Sequence, residues 1–479
     1  MNKSIIRYLL CRVVQFEGFF LLAPCIVALF YKESQGFVYA IVGGICIALG
    51  TLGAYFKPKN NVFFAREGFV TVSLSWIVLS IIGAIPFTIT GEIPNYVDAL
   101  FETASGFTTT GASIMTDVES MSQTSMFFRC FTNWVGGMGV LVFIMAVVPL
   151  TGSYNLLLMQ AESTGPEVGK LVPRIKDSAK ILYGIYFAVT VGSVIAFMVT
   201  GMNFYDALII SFSTTGTGGF ANLNNSMAGY SYSAQTVAIV VMLICSINFN
   251  VYFLLLKGKI KQVFKLEEIA WYFALVALST LGITVQIQKL YPNLRSAVHD
   301  ALFQVVSIIT TTGFSTTDYN FWPTYSKGII ILITIVGACA GSTAGGVKIS
   351  RVIIALRNLK REIGKMIHPR SVSRVRLNGS TVAEETVDAV STFFIAYAVL
   401  LIVSTLVISA DVFDFETSVT AVITALSNVG PGLGACGPSG NFAGFSQLSK
   451  LVLTFDMIAG RLELFPMFIL FYYKTWRKS

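Results

Sequence analysis

Charge is what this sequence has least of. Asp, Glu, Lys and Arg make up 12% of its 479 residues, against about 25% in a soluble domain. A water-soluble fold is thereby excluded. Histidine is nearly missing, with His299 and His368 the two copies, so a histidine metal centre or general base has little to draw on. The seven cysteines (11, 25, 46, 130, 245, 339 and 436) contain no CxxC pair, and most lie inside apolar runs. They read as small buried hydrophobes, not as a disulfide framework. HExxH, GxSxG, a Walker A loop, a strand-linked GxGxxG and acids paired at catalytic spacing are also lacking. The chain is therefore not expected to be an enzyme or to carry a cofactor of its own.

Apolar sequence is what it has in excess, at 54% of residues. Ten spans are expected, at about 6–30, 36–55, 67–90, 126–149, 179–201, 234–256, 267–289, 323–355, 384–409 and 447–473. The formal net charge of +8 would suit nucleic acid, but the placement of the charges argues against that partner. The clusters are Lys3, Arg7 and Arg12; Lys57, Lys59 and Arg66; Lys170, Arg174, Lys176 and Lys180; Lys257 to Lys265; Lys348 to Arg376; and Lys474 to Lys478. They hold 26 of the 33 Lys and Arg and fall between apolar runs. That is the positive-inside asymmetry, which puts the clusters and both termini in the cytoplasm and the rest in membrane lipid. The basic, then apolar N-terminus lacks a small-residue cleavage site and reads as a retained helix.

Between paired spans a shorter segment recurs. Asp98-Ala99-Leu100 lies 13 residues before Gly111, Asp206-Ala207-Leu208 lies 13 before Gly219, and Asp300-Ala301-Leu302 lies 13 before Gly313. In a fourth copy Gly430 is 13 after Thr417, with Asp414 and Glu416 nearby. One tripeptide at one offset three times is an internal repeat. The expected organisation is a two-helix extension over 1–60 and repeats over 61–165, 166–265, 266–376 and 377–479. The third repeat has a broken second span and a basic cytoplasmic segment. The fold class is all-α integral membrane, with four helix–short segment–helix repeats after two extra N-terminal helices.

Each short segment, of about 12 residues, cannot cross a bilayer. An acid at its start suits a helix N-terminus at the outer surface, and its inner end carries partial negative charge that favours a cation. The closing glycine permits positive φ, so the chain turns back with carbonyls aimed at an axis. Irregular backbone at membrane depth is tolerated only against protein or a water-filled cavity. Four such turns around one axis make a ring of carbonyls that replaces an ion's hydration shell. The candidate filter residues are Thr109, Thr110 and Gly111; Thr217, Gly218 and Gly219; Thr311, Thr312 and Gly313; and Asn428, Val429 and Gly430. In the second unit the repeat selects Thr217-Gly218-Gly219 over the equally tempting Ser213-Thr214-Thr215-Gly216.

These turns, with Gly341-Ser342-Thr343-Ala344-Gly345-Gly346-Val347-Lys348 and Gly460-Arg461-Leu462-Glu463, resemble the Trk/Ktr/HKT potassium-uptake family. The two extra N-terminal helices look most like its bacterial TrkH/TrkG branch. The resemblance covers nearly the whole chain. It implies four helix–pore-loop–helix repeats with pseudo-fourfold symmetry, and K⁺ held by the backbone carbonyls of the filter residues. It also implies a homodimer with one pore per subunit, in the bacterial inner membrane. A cytosolic RCK-type subunit similar to TrkA would bind nucleotide, since this chain shows no site for it. Ala112, Phe220, Phe314 and Pro431 follow the four glycines. Such unlike walls imply a looser filter that passes K⁺ and Rb⁺ and admits some Na⁺.

The small residues Gly341, Ser342, Thr343, Ala344, Gly345 and Gly346 interrupt the second span of the third unit. A flexible loop across the pore, acting as a gate, is expected there. Arg461 lies near the middle of the last span, and an intramembrane charge is a functional candidate by default. It would order the gate or repel ions, unless it pairs with Asp456 or Glu463. The basic stretch Lys348 to Arg376 suits the inner leaflet or a regulatory partner. The expected function is K⁺ uptake; the alternative, symport with H⁺ or Na⁺, is disfavoured for protons because no intramembrane acid relay stands out.

Overall fold

Long apolar runs become helices because lipid offers the backbone no other partner. The computed structural model describes residues 1–58, 64–139, 175–263, 265–371 and 373–477, and of 175–180 the backbone alone. The second half of the span expected over 126–149, the boundary at 165, and Lys59, Lys170, Arg174 and Lys478 lie outside the described residues.

The chain opens with a helical hairpin, Lys3–Tyr31 and Gln35–Tyr55. Lys32 in the left-handed conformation ends its first helix. In the turn, Glu33 accepts the amides of Gln123 and Thr124 at 2.9 and 2.8 Å. It thereby caps a helix of the first unit and fixes the hairpin to that unit.

Each of the four units has an outer, a pore and an inner helix. The outer helices are Ala65–Ile89, Ile175–Val199, Glu267–Ile287 and Glu384–Ile408. The shortest has 21 residues, about 31 Å at 1.5 Å per residue, enough to cross the bilayer core. The pore helices are Tyr96–Phe107, Phe204–Thr215, Leu294–Ile309 and Phe415–Ser427. They have 12, 12, 16 and 13 residues, too few to cross. Asn95, Asn203 and Asn293 cap the first three through their side-chain oxygens. The acid expected at each start is in the first turn of two of these, but Asp300 falls well inside the third, which begins earlier at Leu294.

The inner helices correct the expected topology. The break expected in the third unit occurs in all four, each inner helix stopping after a similar length: Gln123–Gly137, Tyr232–Cys245, Thr324–Val336 and Gln447–Arg461. The second resumes as Phe249–Leu256 after an 84° bend. The third resumes as Ile349–Ile367 after a loop, and the fourth as Phe465–Phe471. Six described helices are long and apolar enough to span, or seven if the bent pair counts as one. Ten unbroken spans are not formed, because apolar runs do not reveal where a helix is broken by its packing. The all-α description has one small exception. Arg376–Leu377 pairs antiparallel with Ser380–Thr381 around Asn378-Gly379, both at positive φ, as a two-residue hairpin turn requires.

Candidate functional site

The pore helices end alike. The residue two before each ring glycine is left-handed: Thr109, Thr217, Thr311 and Asn428, at φ 55°, 54°, 56° and 54°. The next amide, of Thr110, Gly218, Thr312 or Val429, donates back to the carbonyl of Ser105, Ser213, Ser307 or Thr424, at 2.8, 2.8, 2.9 and 3.0 Å. This is a Schellman-type helix cap, which usually places Gly or Asn at the left-handed position. Threonine there is unusual, since a β-branched residue is strained at positive φ. The cap satisfies the amides of the two residues before each ring glycine. No donor among the described residues reaches the buried carbonyls of Thr110, Gly218, Thr312 or Val429. Buried carbonyls without a donor are costly unless something else fills them.

The four turns meet in a closed order. A Cβ on Gly111 would lie 2.3 Å from the Gly218 carbonyl oxygen, and one on Gly219 1.9 Å from that of Thr312. One on Gly313 would lie 2.0 Å from the Val429 oxygen, and one on Gly430 2.7 Å from that of Thr110. Each wall thus touches the next, and the fourth touches the first. The glycines are at φ 79°, 69°, 84° and 98°. Both the dihedral and the space demand glycine. Gly216, the tempting alternative, is instead the ordinary right-handed cap of its pore helix. Above the ring, a cavity of about 210 Å³ is lined by all four ring glycines together with Ser113, Arg129, Phe220 and Ser315.

Beneath the ring lie the ends of the inner helices, whose last carbonyls carry partial negative charge. Arg461 is the final residue of its helix, not a mid-helix residue as the unbroken span implied. Its guanidinium donates to the carbonyls of Gly136 and Gly137 at 2.5 and 2.8 Å and of Thr343 at 2.8 Å. It also donates to the hydroxyl of Thr109 at 3.2 Å. Asp456 accepts from Ser404 at 2.9 Å, and Glu463 pairs with Arg351.

The loop through Gly341, Ser342, Thr343, Ala344, Gly345 and Gly346 sits directly under the ring. The Gly345 amide donates to the Thr311 hydroxyl at 2.6 Å, and a Cβ on Gly345 would lie 2.4 Å from the Ser427 carbonyl oxygen. Several hydrogen bonds hold the loop in this position. The Gly341 carbonyl accepts from the Phe249 amide at 2.9 Å, and the Thr343 hydroxyl donates to the Cys245 carbonyl at 3.1 Å. Glu268, from the neighbouring outer helix, accepts the amides of Ala340 and Ser350 at 2.7 and 3.2 Å. It ties the two ends of the loop together. The Lys348 ammonium donates to the Ala344 carbonyl from within.

Several of these residues gave no sequence signal. Glu268 looks like any acid in a first helical turn. The left-handed threonines look like their neighbours. The break after Gly137 was visible in Gly136-Gly137-Met138-Gly139, whose small residues were not read as a stop. Among the described residues no group of three or more His, Cys, Asp or Glu could hold a metal ion.

Short helices ending in unbonded carbonyls, set among helices long and apolar enough to cross a membrane, define a polytopic membrane transport protein. The chain belongs to the TrkH family, described as a cation transport protein, whose family model matches residues 35–478. It is 34% identical over 487 residues to the Trk system potassium uptake protein TrkH of Salmonella typhimurium, covering 99% of each chain. It is 33% identical over 488 residues to the Trk system potassium uptake protein TrkG of Escherichia coli, covering 100% of each. Its fold is similar to the crystal structure of the potassium transporter TrkH from Vibrio parahaemolyticus, with TM-score 0.88, 33% identity and 99% of each chain covered.

Proposed function

We propose that this chain takes up K⁺ through the ring formed by its four pore-helix turns, as its relatives' names indicate for them. The observation that carries the reading is the closed order of wall contacts, with buried carbonyls left without donors. A dehydrated K⁺ would fill that ring with the carbonyls of the filter residues as ligands. The four C-terminal helix ends favour positive charge at the same depth.

The loop over Gly341–Gly346 and Arg461 form the gate. The guanidinium is a tethered cation occupying carbonyls that a passing ion would otherwise meet. Opening requires it and the loop to leave together, since both are bonded through Thr343. The protein works in the bacterial inner membrane with both termini in the cytoplasm. It acts as a homodimer under a cytosolic RCK-type subunit, similar to TrkA, which binds the nucleotide. The membrane potential supplies about 2.3 kcal/mol per charge per 100 mV, enough to drive accumulation without a coupled ion.

Symport with H⁺ is the second reading, and the structure brings an observation in its favour that the sequence did not. Glu17 is fully buried in the first helix, and both its carboxyl oxygens lack a hydrogen-bond partner among the described residues. Asp456 is buried too, with one oxygen unpartnered. The test is uptake of radioactive Rb⁺ into liposomes holding the purified chain, with H⁺ and Na⁺ gradients set independently. Uptake following the K⁺ gradient and voltage alone is expected. Uptake that needs a second gradient would replace the channel by a symporter, with Glu17 the first residue to change.

A further inference from the structure

The four wall junctions are not built alike. Between walls two and three, the Met227 amide donates to the Ser315 carbonyl at 3.0 Å. Between three and four, the Tyr319 hydroxyl donates to the Pro431 carbonyl at 3.3 Å. Between four and one, the Phe442 amide donates to the Ser113 carbonyl at 2.8 Å. Ion pairs also cross two of these junctions, Lys327–Glu416 at 3.5 Å and Lys450–Asp98 at 2.7 Å, but their acids sit near the outer starts of the pore helices and are 44% and 22% exposed. Between one and two lies a buried ion pair: the Arg129 Nε donates to Glu102 at 2.6 Å, with the side chains 3% and 0% exposed.

The pair is fully engaged on both sides of the junction. Glu102, on the first pore helix, also accepts from the Ser113 hydroxyl and the Ile114 amide, both at 2.9 Å. These residues follow ring glycine Gly111. Arg129, on the first inner helix, reaches the second wall, donating to the Ala221 carbonyl at 3.0 Å. Its guanidinium lies 3.7 Å from the centre of the Phe220 ring. Phe220 follows ring glycine Gly219. Arg129 also lines the outer cavity.

The other units have no such charges at these places. Nine residues before the ring glycine, where the first unit has Glu102, stand Ile210, Gln304 and Ala421. Seven residues after the inner-helix cap, where it has Arg129, stand Ala238, Ile330 and Leu453. A buried ion pair contributes little to stability relative to well-packed apolar groups, while breaking it on one side is costly. Its presence at one junction is better explained by what it holds in place.

We propose that Glu102 and Arg129 are positioning residues that fix the spacing of walls one and two, and through it the K⁺ over Na⁺ preference of the ring. This rests on the filter reading above. With the clamp removed, the carbonyls of Thr110 and Gly218 can close around a smaller ion, so Na⁺ gains while K⁺ still passes.

The test is Rb⁺ uptake into liposomes, competed in turn by external K⁺ and Na⁺. The double variant E102Q/R129M removes both charges together and leaves no single buried ion. Uptake persists and the K⁺/Na⁺ competition ratio falls about tenfold, less than the 10²-fold that an ångström of misplacement can cost at a positioned site. R129K keeps the charge but cannot reach Glu102 and Ala221 in the same planar fork, and its ratio falls by a smaller factor. An unchanged ratio in a monodisperse, transporting double variant would overturn the proposal. Should the double variant fail to fold, R129K decides alone, and a ratio equal to the wild type's overturns it. A wild-type chain that takes up no Rb⁺ would instead overturn the filter reading, and this inference with it.

Discussion

The ring and the level just beneath it follow opposite rules. At the ring, four unlike sequences adopt one backbone: a left-handed residue, a carbonyl without a donor, and a glycine pressed against the next wall. Beneath it, four helices stop at similar lengths in four different ways. One ends at Gly137, one bends by 84° at Ser246 to Asn248, one opens into the 337–348 loop, and one ends on Arg461. An ion coordinated from all sides needs equal walls. A gate needs one moving part, and the others need only make room. Symmetry is kept where coordination would demand it and dropped where a single loop and a single arginine would suffice.

The sharpest way to break the symmetric level is to add one methyl group. Gly313→Ala puts a Cβ 2.0 Å from the Val429 carbonyl oxygen at a φ of 84°. Rb⁺ uptake is expected to fall to background, while Gly44→Ala, where nothing lies within 4 Å, leaves it unchanged. At the asymmetric level the expected sign is reversed. Deleting residues 341–346 removes the loop under the ring and raises ungated uptake; unchanged flux would remove the gate from the account. Arg461→Met is milder. A unit charge about 10 Å from an ion, at an effective dielectric of about 20, contributes about 1.7 kcal/mol, so basal uptake rises roughly ten- to twentyfold.

The smallest effect falls on stability. Thr217 is left-handed, and its hydroxyl donates to the carbonyl of the preceding Gly216. Thr217→Asn gives this position the residue type that the fourth wall already has in Asn428. A gain of about 1 kcal/mol is expected from relieved backbone strain, read as a higher Tm in detergent with uptake retained. A drop in Tm would show that the threonines are not strained as described.

The same contrast marks what could be read from the sequence. The symmetric level was legible because repetition is a sequence property. Asp-Ala-Leu at a fixed distance from glycine located three turns and separated Gly219 from Gly216. The asymmetric level was legible where small residues crowd together, as in 337–346, and hidden where one contact decides. At the bend after Cys245 the signal is slight, Ser246 and the helix-capping Asn248 in an otherwise apolar run. The pairing of Arg461 was open in sequence because Asp456 and Glu463 both lie close to it along the chain. In space the guanidinium finds carbonyls of two other units. The partners of the buried Glu102 and Glu268 are hidden for a related reason. An acid inside an apolar segment reveals its burial, but its partner lies in a different unit or on a distant helix. The Asn378-Gly379 turn is a local signal set in a stretch dominated by its basic residues.

The central claim is that the carbonyls of Thr110, Gly218, Thr312 and Val429 surround one dehydrated ion. Anomalous scattering from crystals grown with Rb⁺ in place of K⁺ tests this most directly. A strong peak is expected on the axis among those four oxygens, weakened or lost in Gly313→Ala. A peak confined to the outer cavity, with none inside the ring, would contradict it.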